Sequence, residues 1–458
     1  MPEENSAPVA AGENSKPPPP RRRVLGLAWP IISENLLETL LGIVDTALVA
    51  NLGSAAVAGV GTGQQLVFFV LAALAALSVG SSILVAQAVG AKDLDRACHL
   101  ARQSLLWAVI LSLPMALAGF FLAGPVVIAC QLEPDVSAIA AGYFQITTAT
   151  VLVIVARVIG SGVLRGAGDS RTPMVVTAGA NVLNGVLAYG LIYGVAGLPA
   201  LGAVGSAWAT FLARAVAMVV LIGFLWKGVR GVRIGGGGSW LPDLRVAGQI
   251  LRLGVPASLE QILISAAFLV LTVRVGKLDT DLLAAQRISM TAMSFSFLPG
   301  IGFSLATTAL VGQCTGARRP AEAAAVTRVA TLWAVLWMSA IGTLLFLFAE
   351  PAMRLFTRSP EVVGLGVNGL HVVALLQPAW AVGMVQAGAL RGTGDTRFPL
   401  VAGAAGVWTA VLLASLFLTL YGGSLQAMWS AFFFTSPTTA LLNWLRFRRR
   451  IRGMAGDA

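Results

Sequence analysis

Long apolar runs broken by short polar loops set the rhythm of this chain. LLWAVILSLPMALAGFFLAGPVVIA (Leu105 to Ala129) and TLWAVLWMSAIGTLLFLFA (Thr331 to Ala349) run without a charge. At about 20 residues or more, each can cross a hydrocarbon core of roughly 30 Å. Read along the whole sequence, the same pattern predicts twelve spanning helices. Six lie at about 26–49, 60–88, 104–128, 137–163, 174–195 and 203–226, and six at 250–273, 284–313, 328–349, 364–389, 400–420 and 425–445.

The polar punctuation repeats. RGAGDSRTP at Arg165 to Pro173 returns 226 residues later as RGTGDTRFP at Arg391 to Pro399, with six of nine positions identical. Pro30 and Glu34 return as Pro256 and Glu260, and VAQAVGAK (Val85 to Lys92) as VGQCTGAR (Val311 to Arg318), in the same register. The register slips locally, since Trp208 answers to Trp429 at a spacing of 221. An even number of spans per half makes the halves parallel repeats, related by an axis along the membrane normal. The expected fold is therefore an all-α polytopic membrane protein with a lobe at 26–226, a linker at 227–249 and a lobe at 250–445. The linker's GGGG has the composition of a flexible tether. Residues 1–25 are polar and Pro-rich with no apolar signal core, and read as a disordered tail; 446–458 reads as a basic tail.

Charge adds orientation. Only 11% of the 458 residues are charged, against 57% hydrophobic, and the formal net charge is +11. With the N-terminus cytoplasmic, 24 of the 31 lysines and arginines fall in the tails and alternate loops on that side, as the positive-inside rule requires. Both termini are then expected in the cytoplasm. The same asymmetry accounts for the basic balance without a nucleic-acid partner, because those loops face anionic lipid. Cys98, Cys130 and Cys314 have no pairing or metal spacing, and His99 and His371 stand far apart. Neither a metal site, a cofactor nor an enzyme is expected.

An acid inside a span is costly and is a functional hypothesis by default. Glu34, Glu38, Asp45 and Glu260 qualify. At about 100° per residue, Glu38 lies roughly 40° and Asp45 roughly 20° round the helix from Glu34, so the three form one acidic stripe over roughly 16 Å. Such a stripe should line a wet cavity rather than lipid. The plainer reading, hydrogen bonds that fix helix packing, stays open for each. The doubled phrase also has two readings. Its glycines, aspartates Asp169 and Asp395, and prolines suit a tight capped turn. Alternatively Arg165, Arg171, Arg391 and Arg397 latch onto acids in one conformation. Gln87 and Gln313 read as caps or helix-to-helix hydrogen bonds.

Pro30 followed by VDTALVANLG (Val44 to Gly53), the AQxxGA and GQxxGA helix ends, PASLEQ (Pro256 to Gln261) and both copies of LRGxGDxRxP resemble the multidrug and toxic compound extrusion (MATE) transporters of bacterial type, over about residues 24–446. The resemblance implies a secondary-active exporter that exchanges amphipathic, often cationic, organic compounds for H⁺ or Na⁺ by alternating access in the cell (inner) membrane. It matches Asn184 and Thr210 to polar members of the family's first-half cation network beside Asp45, and Glu260 to its seventh-span acid. Ala188 stands where the family often has a further acid, which leaves a thinner shell or one completed by Glu38. Protons are favoured over sodium, and a monomer is the expected unit. The rival reading is a lipid-linked oligosaccharide flippase of the same superfamily, whose cavity should carry arginines where this interior is mostly acidic. A membrane-embedded transferase is a weaker third, lacking a catalytic cluster.

Overall fold

The computed structural model describes residues 19–456 apart from 129, 131, 196 and 422. The first lobe comprises α1 (Pro20–Ala50), α2 (Ser54–Gly90), α3 (Leu94–Ile128), α4 (Pro134–Ala149), α5 (Val151–Gly166), α6 (Arg171–Tyr193) and α7 (Val204–Lys227). The second comprises α8 (Leu244–Gly276), α9 (Thr280–Gly316), α10 (Pro320–Leu347), α11 (Ala349–Arg354), α12 (Pro360–Gly392), α13 (Arg397–Leu420), α14 (Leu425–Ser430) and α15 (Phe432–Gly456). With α4 and α5 taken as one span bent by 53°, and α14 leading into α15, each lobe crosses the membrane six times. This is the all-helical architecture of two parallel repeats that the apolar rhythm predicts. Prolines open α1, α4, α10 and α12, where their missing N–H costs nothing. Asp243, Asp279, Ser359 and Ser424 cap α8, α9, α12 and α14 through their side chains.

The lobes meet by a symmetric exchange, in which α1 packs on α9, α8 packs on α2, and α2 meets α9 across the centre. Inside each lobe the same partners recur, α1 on α6 and α8 on α13, α2 on α5 and α9 on α12. The break between α4 and α5 is a local asymmetry. The Thr150 hydroxyl donates to the carbonyls of Ile146 and Thr147, drawing off acceptors of the last turn of α4. The matching stretch of α12 runs through Pro378 as one helix.

Three segments depart from expectation. The tail read as disordered is helical from Pro20 on, because proline starts the helix and Arg23 reaches Glu322 of α10 at 3.2 Å; residues 1–18 lie outside the described residues. The tail after 446 continues α15 as far as Gly456. The glycine-rich linker is not a loose tether. Val232 and Ile234 are buried in the first lobe's core, and the Ile234 N–H donates to the Leu225 carbonyl. Gln103 of α3 donates to the Leu241 carbonyl and accepts from the Asp243 N–H, so α8 begins at Leu244. Two buried aliphatic side chains and fixed backbone partners outweigh the freedom of four glycines.

Candidate functional site

All three acids of α1 turn toward helices of their own lobe, as their shared face requires. Glu34, 5% exposed, accepts from the Arg165 guanidinium at the end of α5 at 3.1 Å. Glu38 accepts from Arg157 of α5 at 2.6 Å, and Arg157 also donates to the Thr177 hydroxyl of α6 at 3.4 Å. Glu260 of α8 accepts from Arg391 of α12 at 2.7 Å and is 5% exposed. The stripe is not uniformly wet: Glu34 and Asp45 are buried, whereas the Glu38 side chain is 37% exposed. A cavity of 10 Å³, on the scale of one water molecule, lies among Glu38, Arg157, Asn184 and Arg214. At Glu34 and Glu260 guanidinium partners replace bulk hydration, because two buried opposite charges tolerate each other where one alone would not. Glu260 is likewise an ion-pair partner and not a free cavity carboxylate. The interior is therefore not predominantly acidic, since three of its four acids are matched by arginines.

Asp45 is the exception. It is 4% exposed and makes no ion pair among the described residues. Its hydrogen-bond partners are neutral, and the Arg214 guanidinium acts on it only through space. With the Asn184 amide turned so that its nitrogen faces the carboxylate, it donates to Asp45 Oδ1 at 3.0 Å, and its oxygen lies 3.0 Å from Thr210 Oγ1 and accepts from the Thr210 N–H at 3.2 Å. The opposite orientation would set the amide oxygen against the carboxylate. Thr210 Oγ1 stands 3.4 Å from Asp45 Oδ2. Helices α1, α6 and α7 thus bring Asp45, Asn184 and Thr210 together. Glu38 borders the same small cavity as Asn184 but is held by Arg157. Ala188 is wholly buried in an apolar cluster with Val49 and Tyr143, so packing fills its position.

The doubled phrase divides its labour. Asp169 Oδ1 accepts from the N–H groups of Arg171 and Thr172, and its Oδ2 from the Thr172 hydroxyl, capping α6. Asp395 caps α13 through the Phe398 N–H and also holds Arg446 at 2.9 Å. Arg171 and Arg397 are exposed and make no ion pair among the described residues. Arg165 and Arg391 are the ones that reach acids, in both lobes exactly 131 positions from their partner. The turn reading suits the aspartates, while those two arginines lock the fourth span of each lobe onto its first.

Beside these pairs the lobes clasp each other. Gln87 Nε2 donates to the Gly392 carbonyl at 3.1 Å, and its repeat Gln313 to the Gly166 carbonyl at 3.0 Å. A side chain at Gly90 would collide with the Gln313 carbonyl oxygen, and one at Gly316 with that of Gln87, so only glycine lets the helix ends approach this closely. Arg157 and Arg214 are the site residues that sequence reasoning missed. Both sit inside spans, where an arginine is as costly as an acid, and that signal was available.

Comparison with known proteins decides the family. A single family model, MatE, matches residues 30–190 and again 256–416, in the 226-residue register of the repeat. The chain belongs to the MatE family. Among its relatives, a probable multidrug resistance protein NorM of Thermotoga maritima is 31% identical over 88% of this chain and 86% of its own length. The multidrug resistance protein PmpM of Pseudomonas aeruginosa is 27% identical, covering 83% and 80%. A solved outward-facing multidrug resistance MATE transporter superposes with a TM-score of 0.89 at 24% identity, over 96% of this chain and 97% of that one. A MOP-superfamily transporter from Pyrococcus furiosus gives 0.88 at 24%, over 95% and 97%. This MatE protein is thus a multi-pass membrane transporter of the multidrug efflux type and not an enzyme.

Proposed function

We propose that this MatE protein is an antiporter that expels amphipathic, cationic organic compounds in exchange for H⁺, with Asp45 as the coupling group. The observation that carries the proposal is the buried Asp45 carboxylate, held by neutral donors in a lobe whose two other in-span acids, Glu34 and Glu38, are paired with arginines. A carboxylate facing a hydroxyl exchanges a proton with little rearrangement: once protonated at Oδ2 it donates to Thr210 Oγ1, whose own proton turns to the Asn184 oxygen 3.0 Å away. Sodium would need that oxygen, the Thr210 hydroxyl and further oxygens pointing inward together, and Glu38 is engaged with Arg157. The basic end, where most lysines and arginines gather, faces the cytoplasm of the cell (inner) membrane, and each chain works as a monomer with its own two lobes. The clasp of Gln87 and Gln313 seals that end, and alternating access requires it to part.

The test is efflux of an organic cation from proteoliposomes, with the H⁺ and Na⁺ gradients imposed separately. The proton gradient alone should drive wild-type efflux. Asp45→Asn should insert and fold yet lose gradient-driven transport, since the amide keeps the volume and removes the titration. Efflux driven by sodium alone, or a folded Asp45→Asn protein that exports at the wild-type rate, would refute the assignment.

A further inference from the structure

At the basic end of the second lobe, four arginines converge on one recess. Arg252 of α8, Arg397 at the start of α13, and Arg446 and Arg450 of α15 border a cavity of 170 Å³. A single acid, Asp395, stands among them and is taken by Arg446. Arg252, Arg397 and Arg450 are exposed and make no ion pair among the described residues. Three uncompensated guanidiniums around one recess repel each other, and an anion with several oxygens relieves that repulsion with forked hydrogen bonds.

The surroundings identify what carries the anion. Each of the three helices continues from its arginine toward the membrane interior with exposed apolar side chains on the same face. On α8, Val255 and Leu259 follow Arg252 at one and two turns and are 40% and 44% exposed. On α13, Val401 follows Arg397 by one turn, and on α15, Leu442 precedes Arg446 by one turn. Phosphate-binding groups at the membrane edge with apolar faces running inward form the two-part surface of a phospholipid. A free phosphate would use only the arginines. The first lobe has no counterpart, because Gly26 stands where the second has Arg252 and no arginine lies 221 or 226 positions before Arg446 or Arg450.

We infer that the recess between α8, α13 and α15 is a binding site for one anionic phospholipid, whose headgroup phosphate is held by Arg252, Arg397 and Arg450. The site is built by the second lobe alone. It abuts the doubled phrase through Asp395 and Arg397, so a bound headgroup touches the turn that carries the Arg391–Glu260 lock.

Native mass spectrometry of the purified full chain in zwitterionic detergent tests this with phosphatidylglycerol, phosphatidylcholine and inorganic phosphate as separate probes. Wild type should retain one phosphatidylglycerol at least about ten-fold better than phosphatidylcholine. Each arginine removed should weaken retention about five-fold, so Arg252→Gln/Arg397→Gln/Arg450→Gln should lose it by about 100-fold. A charge-matched control outside the recess, Arg171→Gln/Arg448→Gln/Arg452→Gln, should retain it. An equal loss in the control would mean that the basic surface as a whole attracts lipid, and would overturn the site. Equal retention of phosphatidylcholine, or displacement of the lipid by low millimolar phosphate, would also overturn it. If the triple variant does not purify, Arg397→Gln alone carries the same test, with a loss of about five-fold expected and no loss refuting the site.

Discussion

The two lobes carry the same lock, but only the first sets an unpaired carboxylate among buried polar groups; the second holds the neutral pairs Ser296–Gln377 and Gln386–Thr331 instead. Glu34 with Arg165 and Glu260 with Arg391 are the same pair in the same place, 226 residues apart. The residues answering to the Asp45 group are Leu271 and Ala410 in the 226-residue register, and Ala431 in the 221-residue register of Trp208 and Trp429. All three are fully buried in one apolar cluster, close-packed with Trp429 and Phe432. Arg157, which holds Glu38, and Thr177, which accepts from Arg157, answer to Gly383 and Gly403, and Glu38 itself to Ile264. Symmetry therefore marks what the frame needs, and its failure marks where chemistry was placed. The ion pairs that look most like a mechanism are duplicated scaffold. The quieter triad of Asp45, Asn184 and Thr210 has only apolar residues at its matching positions in the second lobe.

Forcing the second lobe to imitate the first should have the largest effect. Leu271→Asp puts a carboxylate into an apolar cluster that contains no lysine or arginine, and should cost at least about 5 kcal/mol, enough to abolish a folded product. Thermal unfolding in detergent, followed by size exclusion, reads this directly. A stable Leu271→Asp protein would mean that neutral groups of the second lobe, such as the unpartnered Trp429 indole N–H, can hold a carboxylate and that the contrast is false.

The duplicated locks should break alike. Arg165→Ala and Arg391→Ala each strand a buried carboxylate and should each cost about 3 kcal/mol, equal within about 1 kcal/mol. Exchanging the charges, as Glu260→Arg with Arg391→Glu, should recover part of the loss. If the first-lobe lock proves far costlier, Arg165 also serves the Asp45 region and the pairs are not equivalent.

Much of this was legible in the residues themselves. Periodicity gave the spans, and the 226-residue register gave the lobes, because each span must satisfy its own backbone in lipid and so announces itself locally. Asp45 stood out as an acid in a span for the same reason. What a single chain could not supply was distance across it: which of Glu34, Glu38 and Asp45 meets a guanidinium depends on how far the long arginine side chains of α5 reach toward α1. Counting acids without counting Arg157 made the interior look acidic. The linker misled through composition, since GGGG hides the buried Val232 and Ile234 beside it. The helical start at Pro20 was obscured by a Pro-rich neighbourhood that resembles its disordered flank.

The clasp between lobes should respond more gently than the locks within them. Gln87→Ala and Gln313→Ala each remove one inter-lobe hydrogen bond worth about 1 kcal/mol, and should open the basic end about five-fold more often. Repeat symmetry predicts equal effects and a double variant close to their product. Accessibility of an engineered cysteine near Gly392 to a membrane-impermeant thiol reagent measures this. No change in either variant would show that the glycine contact of Gly90 and Gly316 alone holds the seal.

The smallest effect lies in the aspartates of the doubled phrase, and there the lobes should differ slightly. In Asp169→Asn the amide oxygen can still accept from the Arg171 and Thr172 N–H groups, so only the Thr172 hydroxyl contact at 2.6 Å is disturbed. A loss below about 0.5 kcal/mol is expected. Asp395→Asn keeps its cap to Phe398 in the same way but releases Arg446, whose side chain is 44% exposed. A half-exposed pair contributes at most about 1 kcal/mol, so Asp395→Asn should cost up to about that much and lose its excess over Asp169→Asn at high salt, where exposed pairs are screened. Turnover should stay near wild type in both, because neither aspartate touches Arg165 or Arg391. The decisive comparison is the salt dependence of thermal stability in the two variants. Identical curves would mean that Arg446 contributes nothing through Asp395. A marked loss of transport in either variant, with stability retained, would mean that the turns gate the transporter and that the reading of the phrase as cap plus lock is wrong.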